Sequence, residues 1–254
     1  MKSLARSLLV AASLAWLASC AGPGATPRSE PAPLSRPQAQ AIVASPDRSD
    51  ADRKNDVRRK PVDMLVFVAP RPGMVVVDIV AGGGYTSELL ARAVAPTGRV
   101  YSQTSRGPSA TLAERTKKPT GANIVPFAQP LDNPTPTALA PASVDLVTLM
   151  FNYHDLGAAN VDRARMNGAI FAALKPGGSY VVADHSGRVG TGISESATLH
   201  RVEETLVRRE VEAAGFRLAA EGTFLRNPAD PRDKSSDGST IPTDRFVLRF
   251  AKPR

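Results

Sequence analysis

The sequence predicts an α/β fold, a doubly wound sheet built from parallel crossover units. Three observations carry this. An apolar run, Met74-Val75-Val76-Val77, reads as a buried strand and leads directly into Asp78-Ile79-Val80-Ala81-Gly82-Gly83-Gly84-Tyr85, after which Thr86 to Ala95 reads as a helix. A strand, a glycine-rich turn and a helix bring backbone close to a ligand without Cβ interference, and the helix N-terminus adds aligned N–H groups and partial positive charge. Nucleotide-like cofactors are held this way in doubly wound folds. Strand and helix patterns then alternate along the chain, which calls for right-handed crossovers between parallel strands. Finally, the chain has 254 residues, 42% of them hydrophobic. With the N-terminus set aside, that suits one domain of roughly 190–200 residues with a substantial core.

The elements follow in order. Asp47 to Val68 is charged first and then apolar; Val57, Met64, Leu65 and Val68 share one helical side, with Pro61 kinking or restarting the helix. Arg71-Pro72-Gly73 turns the chain into the first strand, Met74 to Ile79. The helix after the glycine turn offers Leu89, Leu90, Ala93 and Val94 to the core. Arg99 to Gln103, Ile124 to Phe127 and Val144 to Phe151 read as the second, third and fourth strands. Asp162 to Leu174 is helical and ends in Lys175-Pro176-Gly177-Gly178, before a fifth strand from Ser179 to Ala183. Leu199 to Ala214 reads as a helix closed by Gly215, and Phe216 to Glu221 and Arg245 to Phe250 are the sixth and seventh strands. Asn227 to Thr243, polar and proline-containing, reads as an exposed loop.

The N-terminus carries a different signal. Lys2 and Arg6 precede an apolar segment, Leu8 to Leu17, too short to span a bilayer. Leu17-Ala18-Ser19-Cys20 then resembles the cleavage box of a bacterial lipoprotein, which implies a signal peptide over 1–19 and a lipid anchor on Cys20. An ordinary secretory signal and a mis-assigned start codon stay open. Ala21 after the cysteine favours the outer membrane in that resemblance. Residues 20–46, rich in Pro, Ala, Ser and Gly, are expected to form a disordered tether, with the folded domain over 47–254.

Composition narrows the chemistry. Cys20 is the sole cysteine, so internal disulfides, cysteine-based metal sites and a thiol nucleophile in the domain are excluded. The formal net charge is +8. Its cations are interleaved with acids, as in Asp47-Arg48-Ser49-Asp50-Ala51-Asp52-Arg53-Lys54, which reads as solvated surface. No basic patch interleaved with aromatics points to nucleic acid.

Three pieces, Val75 to Tyr85, Val144 to Asp155 and Ala173-Leu174-Lys175-Pro176-Gly177-Gly178-Ser179-Tyr180-Val181-Val182, resemble class I S-adenosylmethionine-dependent methyltransferases. The resemblance covers roughly Asp47 to Lys252 and is strongest to bacterial methyltransferases with export signals. It implies a mostly parallel seven-stranded sheet with an antiparallel last strand, and S-adenosylmethionine across the C-terminal ends of the first strands. Asp78, Gly82 and Gly84 match the family's Asp-x-Gly-x-Gly-x-Gly motif, with Gly83 between them, while Val80 stands where its first glycine belongs. A β-branched residue resists the positive φ that glycine allows. Gln103 stands where the family usually carries an acid for the ribose hydroxyls; Asp132 is a candidate for the adenine, and Asn152 for the methyl-donor end.

Asn152-Tyr153-His154-Asp155 follows the fourth strand and Asp184-His185-Ser186-Gly187 ends the fifth. At that edge His154 is a candidate base, with Tyr153, Asp155 and His185 as acceptor contacts. A strand-end turn whose polar residues cap the next segment is the alternative. All three histidines, His154, His185 and His200, fall near strand C-termini, so they could also bind a divalent metal with Asp155 and Asp184. No Gly-x-Ser-x-Gly elbow surrounds Ser186, against a serine hydrolase. Gly187 to Gly192 reads as a loop over the site. The leading expectation is an envelope methyltransferase acting on a small-molecule acceptor. The second is a non-catalytic envelope lipoprotein that binds a ligand or partner on the same scaffold.

Overall fold

The computed structural model describes residues 31–237 and 242–254. The expected signal peptide, Cys20 and most of the expected tether lie outside the described residues. No helix among the described residues is long and apolar enough to cross a membrane.

Seven strands form one sheet in the order β3-β2-β1-β4-β5-β7-β6. They are β1 (Val75–Ile79), β2 (Arg99–Thr104), β3 (Ile124–Ala128), β4 (Val144–Met150), β5 (Leu174–His185), β6 (Arg217–Gly222) and β7 (Arg245–Ala251). The first five run parallel, and β7 is antiparallel to both β5 and β6. Valine and leucine dominate the central strands because both faces are covered, as parallel sheets require. Val76, Leu146, Val181 and Val247 pack on one face, against Leu65, Leu89, Leu90 and Leu112. Their neighbours Val77, Val147, Val182 and Leu248 pack on the other, against Leu156, Met166, Ile170 and Val207. The first face is covered by α1 (Arg36–Ala44), α3 (Pro61–Val68), α4 (Tyr85–Val94) and α5 (Ala110–Thr116), and the second by α6 (Asp155–Ala158), α7 (Arg163–Ala173) and α9 (Glu204–Ala213). Strand order reverses between β1 and β4, so their carboxyl ends open a crevice, the usual ligand position in such sheets.

Several expectations are corrected. The fold begins before Asp47: α1 carries a Ser35–Gln38 capping box and a proline in its first turn, and it buries Ala39 completely. Pro61 restarts the helix after Lys60, which takes φ +43, so α2 (Asp50–Arg59) and α3 are separate. Val57 is 83% exposed, because α2 turns a polar face inward. The charged stretch before it is only partly solvated surface: Asp47, Asp50 and Lys54 are exposed, but Arg48 and Asp52 are buried, and Arg48 grips Asp56 through two bonds of 2.7 and 2.8 Å. The helix expected from Leu199 is interrupted by His200 at φ +51, leaving α8 (Ser196–Leu199) and α9. The polar loop after Asn227 is partly internal, since Arg201, 1% exposed, takes both carboxylate oxygens of Asp230 at 2.8 and 3.2 Å.

The packing of α1 makes a prediction. Ala39→Leu overfills a closed site and should cost about 1–3 kcal/mol in urea unfolding. The same change in an undocked tether would cost nothing.

Candidate functional site

A cleft of about 340 Å³ opens at the carboxyl ends of β1 and β4. Its floor is Asp78 to Gly83 with Met150 and Asn152; α2 contributes Asp52, Asn55 and Arg59, α4 Tyr85 and Thr86, and α5 Thr111 and Arg115. A larger depression of about 610 Å³ lies at the amino end of β2, around Ala95 to Arg99. It is remote from the crevice where open parallel sheets bind ligands.

The glycine turn is built on left-handed backbone. Val80, Gly82 and Gly84 take φ of +53, +56 and +79. Val80 thus adopts the conformation its motif position demands, though a β-branched side chain resists it. Three hydrogen bonds hold the strained segment from behind. The Val80 N–H donates to Gln103 Oε1 at 3.0 Å, Gln103 Nε2 donates to the Gln129 carbonyl at 2.6 Å, and the Ala81 N–H donates to the Gln103 carbonyl at 3.0 Å. From the α5 side, Ser109 Oγ donates to the Gly82 carbonyl at 2.9 Å and Arg115 Nε to the Gly83 carbonyl at 2.6 Å. Arg115 also forks onto Asp52 at 2.7 and 2.8 Å and pairs with Glu88. Gly84 answers a packing need: a Cβ there would lie 2.8 Å from Leu112 Cδ1.

Asp78 is buried and accepts from Ser87 Oγ at 2.6 Å and Thr148 Oγ1 at 2.7 Å. Burial raises its pKa to about 6, against the lowering by those two hydroxyls. Asp78, Gly82, Gly83 and Asn152 line the cleft, whereas His154, Asp155 and His185 do not. Gly84 stands behind it. Gln103 is fully buried with both ends of its amide engaged, so it braces the turn and is not offered to a ribose. Asp132 does not line the cleft; it pairs with Arg165 at 3.3 Å.

The three histidines do converge. The His154 ring lies 6.0 Å from His185 and 5.6 Å from His200, centroid to centroid. Buried Asp184 accepts from the His154 backbone N–H at 2.7 Å and faces its Nδ1 at 2.7 Å. Asp155 Oδ1 lies 3.3 Å from His154 Nε2. Burial disfavours the charged ring, but these two carboxylates outweigh it and raise the His154 pKa to about 10. At neutral pH His154 is an imidazolium and donates; the expected base is already protonated. Burial, with Arg245 and His154 nearby, pushes His185 down to about 3, so it stays neutral, with Nδ1 2.8 Å from Thr243 Oγ1. Tyr153 leaves the site altogether: its ring is in the core, and its hydroxyl donates to Glu210 at 2.7 Å and accepts from Asn167 at 3.2 Å.

Sequence reasoning missed the α2 wall. Asp52, Asn55, Asp56 and Arg59 are spaced i, i+3, i+4 and i+7, one helical face made of polar groups. That spacing was the available signal. Arg59 packs 4.2 Å over the Phe151 ring and 5.8 Å over Tyr85. Burial and the neighbouring Arg58 lower its pKa to about 10, which leaves it charged at neutral pH. Among the described residues no carboxylate forms an ion pair with it.

No family model and no curated protein matches the sequence. Solved structures do match in shape. A SAM-dependent methyltransferase from Aquifex aeolicus superposes with a TM-score of 0.56 at 16% identity, over 81% of this chain and 100% of that one. The arsenic(III) S-adenosylmethionine methyltransferase of Chlamydomonas reinhardtii gives 0.56 at 16% identity, over 88% and 75%. The chain has the class I methyltransferase fold. The cyclase SpnF matches equally well, with a TM-score of 0.56 at 14% identity over 88% of this chain and 98% of its own. The fold therefore leaves the reaction open, and the site must decide it.

Two outcomes test this geometry. The His154 pKa is raised from 6.5 to about 10, so its stabilising effect is complete below about 6.5 and lost as pH rises through about 10. Asp184→Asn should therefore destabilise the fold more at pH 6 than above pH 10, and urea titrations at both values read it. Val80→Gly relieves a left-handed β-branched residue, worth about 1–2 kcal/mol, against about 0.5–1 kcal/mol of added chain entropy. The half-buried valine side chain also packs against the core, and losing it offsets part of the gain, so the unfolding free energy should stay within about 1 kcal/mol of the wild type.

Proposed function

We propose that the cleft binds S-adenosylmethionine and that the chain transfers its methyl group to a small-molecule acceptor. The observation that carries this reading is the braced glycine turn at the switch point of a class I methyltransferase fold. The residues present fit the cofactor in three respects. The cleft has the volume of a small-ligand site, which runs from about 300 Å³ upward. Gly82 and Gly83 present backbone without side chains beside an α4 N-terminus that has no side-chain cap. Arg59 brings a charge that pairs with no carboxylate among the described residues and that suits the methionine carboxylate. In place of an acid from β2, Asn55 and Thr111 are the polar groups available to the nucleoside end.

Bound cofactor supplies an electrophilic methyl group on a sulfonium. The chain supplies position. Asn152, which lines the cleft, donates to Asp155 Oδ2 at 2.8 Å and ties that carboxylate to the cleft wall. His154 lies behind Asn152, with Nδ1 against Asp184 and Nε2 against Asp155, and orders that edge from outside the cleft lining, while neutral His185 lies between it and Phe151. Methyl transfer needs in-line alignment more than proton transfer, so an edge without a free imidazole base is compatible with it.

The burial of Gln103 favours a second reading, in which the scaffold binds a ligand or partner without turnover. Calorimetric titration of the full chain with S-adenosylmethionine and S-adenosylhomocysteine separates the two. Micromolar binding of both is expected. Arg59→Ala should weaken it about tenfold or more, the value of a charge-assisted hydrogen bond, and Gly82→Val should abolish it. A folded chain that binds neither compound sinks the methyltransferase reading and leaves the second.

The proposed setting is the cell envelope, with the chain anchored through lipid on Cys20. The order of basic, apolar and small residues before that cysteine supports it. Mass spectrometry of the N-terminal peptide should find a diacylglyceryl adduct on Cys20, and Cys20→Ala should release the chain from membranes. An unmodified Cys20 in a chain retaining residues 1–19 would overturn it.

A further inference from the structure

We infer that His154, Asp155 and His200 form a binding site for one first-row divalent cation of the zinc class. The inference goes beyond the methyltransferase reading and does not depend on it. The chain has three histidines, and two of them reach this point from different elements, the end of β4 and the end of α8. One ligand atom from each of the three residues lies within 4.8 Å of the others. Asp155 Oδ1 sits between the two rings, 3.3 Å from His154 Nε2 and 3.9 Å from His200 Nδ1. Charge-assisted hydrogen bonds close to about 2.7–2.9 Å; both separations, the His154–Asp155 ion pair included, are longer than that. They resemble the ligand-to-ligand edges of a tetrahedral site, about 3.4 Å when metal bonds are ~2.0–2.1 Å.

The surrounding groups are those a metal site needs. Buried Asp184 lies 2.7 Å from His154 Nδ1, which leaves Nε2 as the ligating nitrogen, the carboxylate–histidine–metal arrangement. Asn152 Nδ2 holds Asp155 Oδ2 at 2.8 Å, which leaves Oδ1 as the ligating oxygen. His200 is turned into place by its left-handed backbone, φ +51, and Ser236 Oγ donates to its carbonyl at 2.9 Å. The other two sequence candidates are not ligands: Asp184 orients a ligand, and His185 is turned to Thr243. Two imidazoles and one carboxylate select zinc-like ions over magnesium or calcium. Three protein donors leave room for water or for an oxygen or sulfur donor of a small molecule. Cation uptake displaces the proton on His154 Nε2 into solvent.

The test is calorimetric titration of the untagged full chain, stripped with chelator, with Zn²⁺ and separately with Mg²⁺. One zinc per chain at micromolar or tighter affinity is expected, with no magnesium binding. His200→Gln and Asp155→Asn change half-exposed residues, and each should weaken zinc binding by about 100-fold or more while circular dichroism melts stay near wild type. Asp184→Asn should weaken it about 10–100-fold, as for other groups that orient a ligand. A folded wild-type chain that takes up no zinc overturns the site. So does zinc affinity that His200→Gln and Asp155→Asn both leave unchanged. Should Asp184→Asn fail to fold, those two variants decide.

Discussion

The Arg115 guanidinium is the interaction on which the cleft depends. It comes from α5 and reaches the Gly83 carbonyl, both oxygens of Asp52 on α2, and Glu88 on α4. One planar group thus fixes the glycine turn, the wall opposite it and the helix that follows it. All three side chains are at least 91% buried, given side-chain exposures of 9, 6 and 4%. Burying such charges is expensive, and deleting one partner of a buried set typically costs about 3–5 kcal/mol because the others stay uncompensated. A planar fork with several fixed acceptors also specifies geometry, which an apolar contact of equal area would not. The α2 helix owes its position to this network and to the Arg48–Asp56 pair, since its outward face carries an exposed valine.

A second polar centre organises the other end of the edge. Asp184 takes the His154 and His185 backbone N–H groups and faces the His154 ring. Two histidines 6.0 Å apart are driven in opposite directions by what surrounds them. Carboxylates on both sides hold His154 charged. Burial beside Arg245 keeps His185 neutral. Separated proton affinities in neighbouring groups are a mark of functional sites, and here they give the edge one donor and one neutral ring.

Much of the fold was legible because it depends on local pattern. Valine-rich runs, a glycine turn and Lys-Pro-Gly-Gly before β5 locate strands whatever lies around them. The requirement for positive φ at Val80 was legible too, from its place in the motif. Gln103 was not, because its role is set by Gln129 and Val80, partners distant in sequence. Tyr153 shows a different limit. It adjoins Asn152, which lines the cleft, yet its own hydroxyl meets Glu210 and Asn167 in the core. Successive side chains at a strand end point to opposite sides of the sheet, and Tyr153 takes the side that faces the core. The α2 wall was missed because mixed charge was taken for solvation, whereas the polar groups repeat with helical period and meet buried partners.

The distribution of strain bears on whether the edge is a working site. Left-handed backbone at a bulky or β-branched residue costs on the order of 1–3 kcal/mol and persists only where surrounding structure over-determines it. Val80, Phe151 and His200 all take φ between +51 and +63. Val80 follows β1, Phe151 follows β4, and His200 follows α8, so the three border the cleft and the histidine cluster. Each is held by specific bonds: Val80 by Gln103, Phe151 by its N–H to the Ala183 carbonyl, and His200 by Ser236. Glycine would relax any of them, but at Phe151 and His200 it would remove the ring that Arg59 covers and the imidazole beside Asp155. The turn carries valine in place of a glycine at Val80 and holds its left-handed shape by bracing. Lys60, Ala69, Ala142, Asn160 and Arg232 also take positive φ among the described residues, so it is the bracing of Val80, and not strain alone, that argues that the chain maintains the shape of the turn.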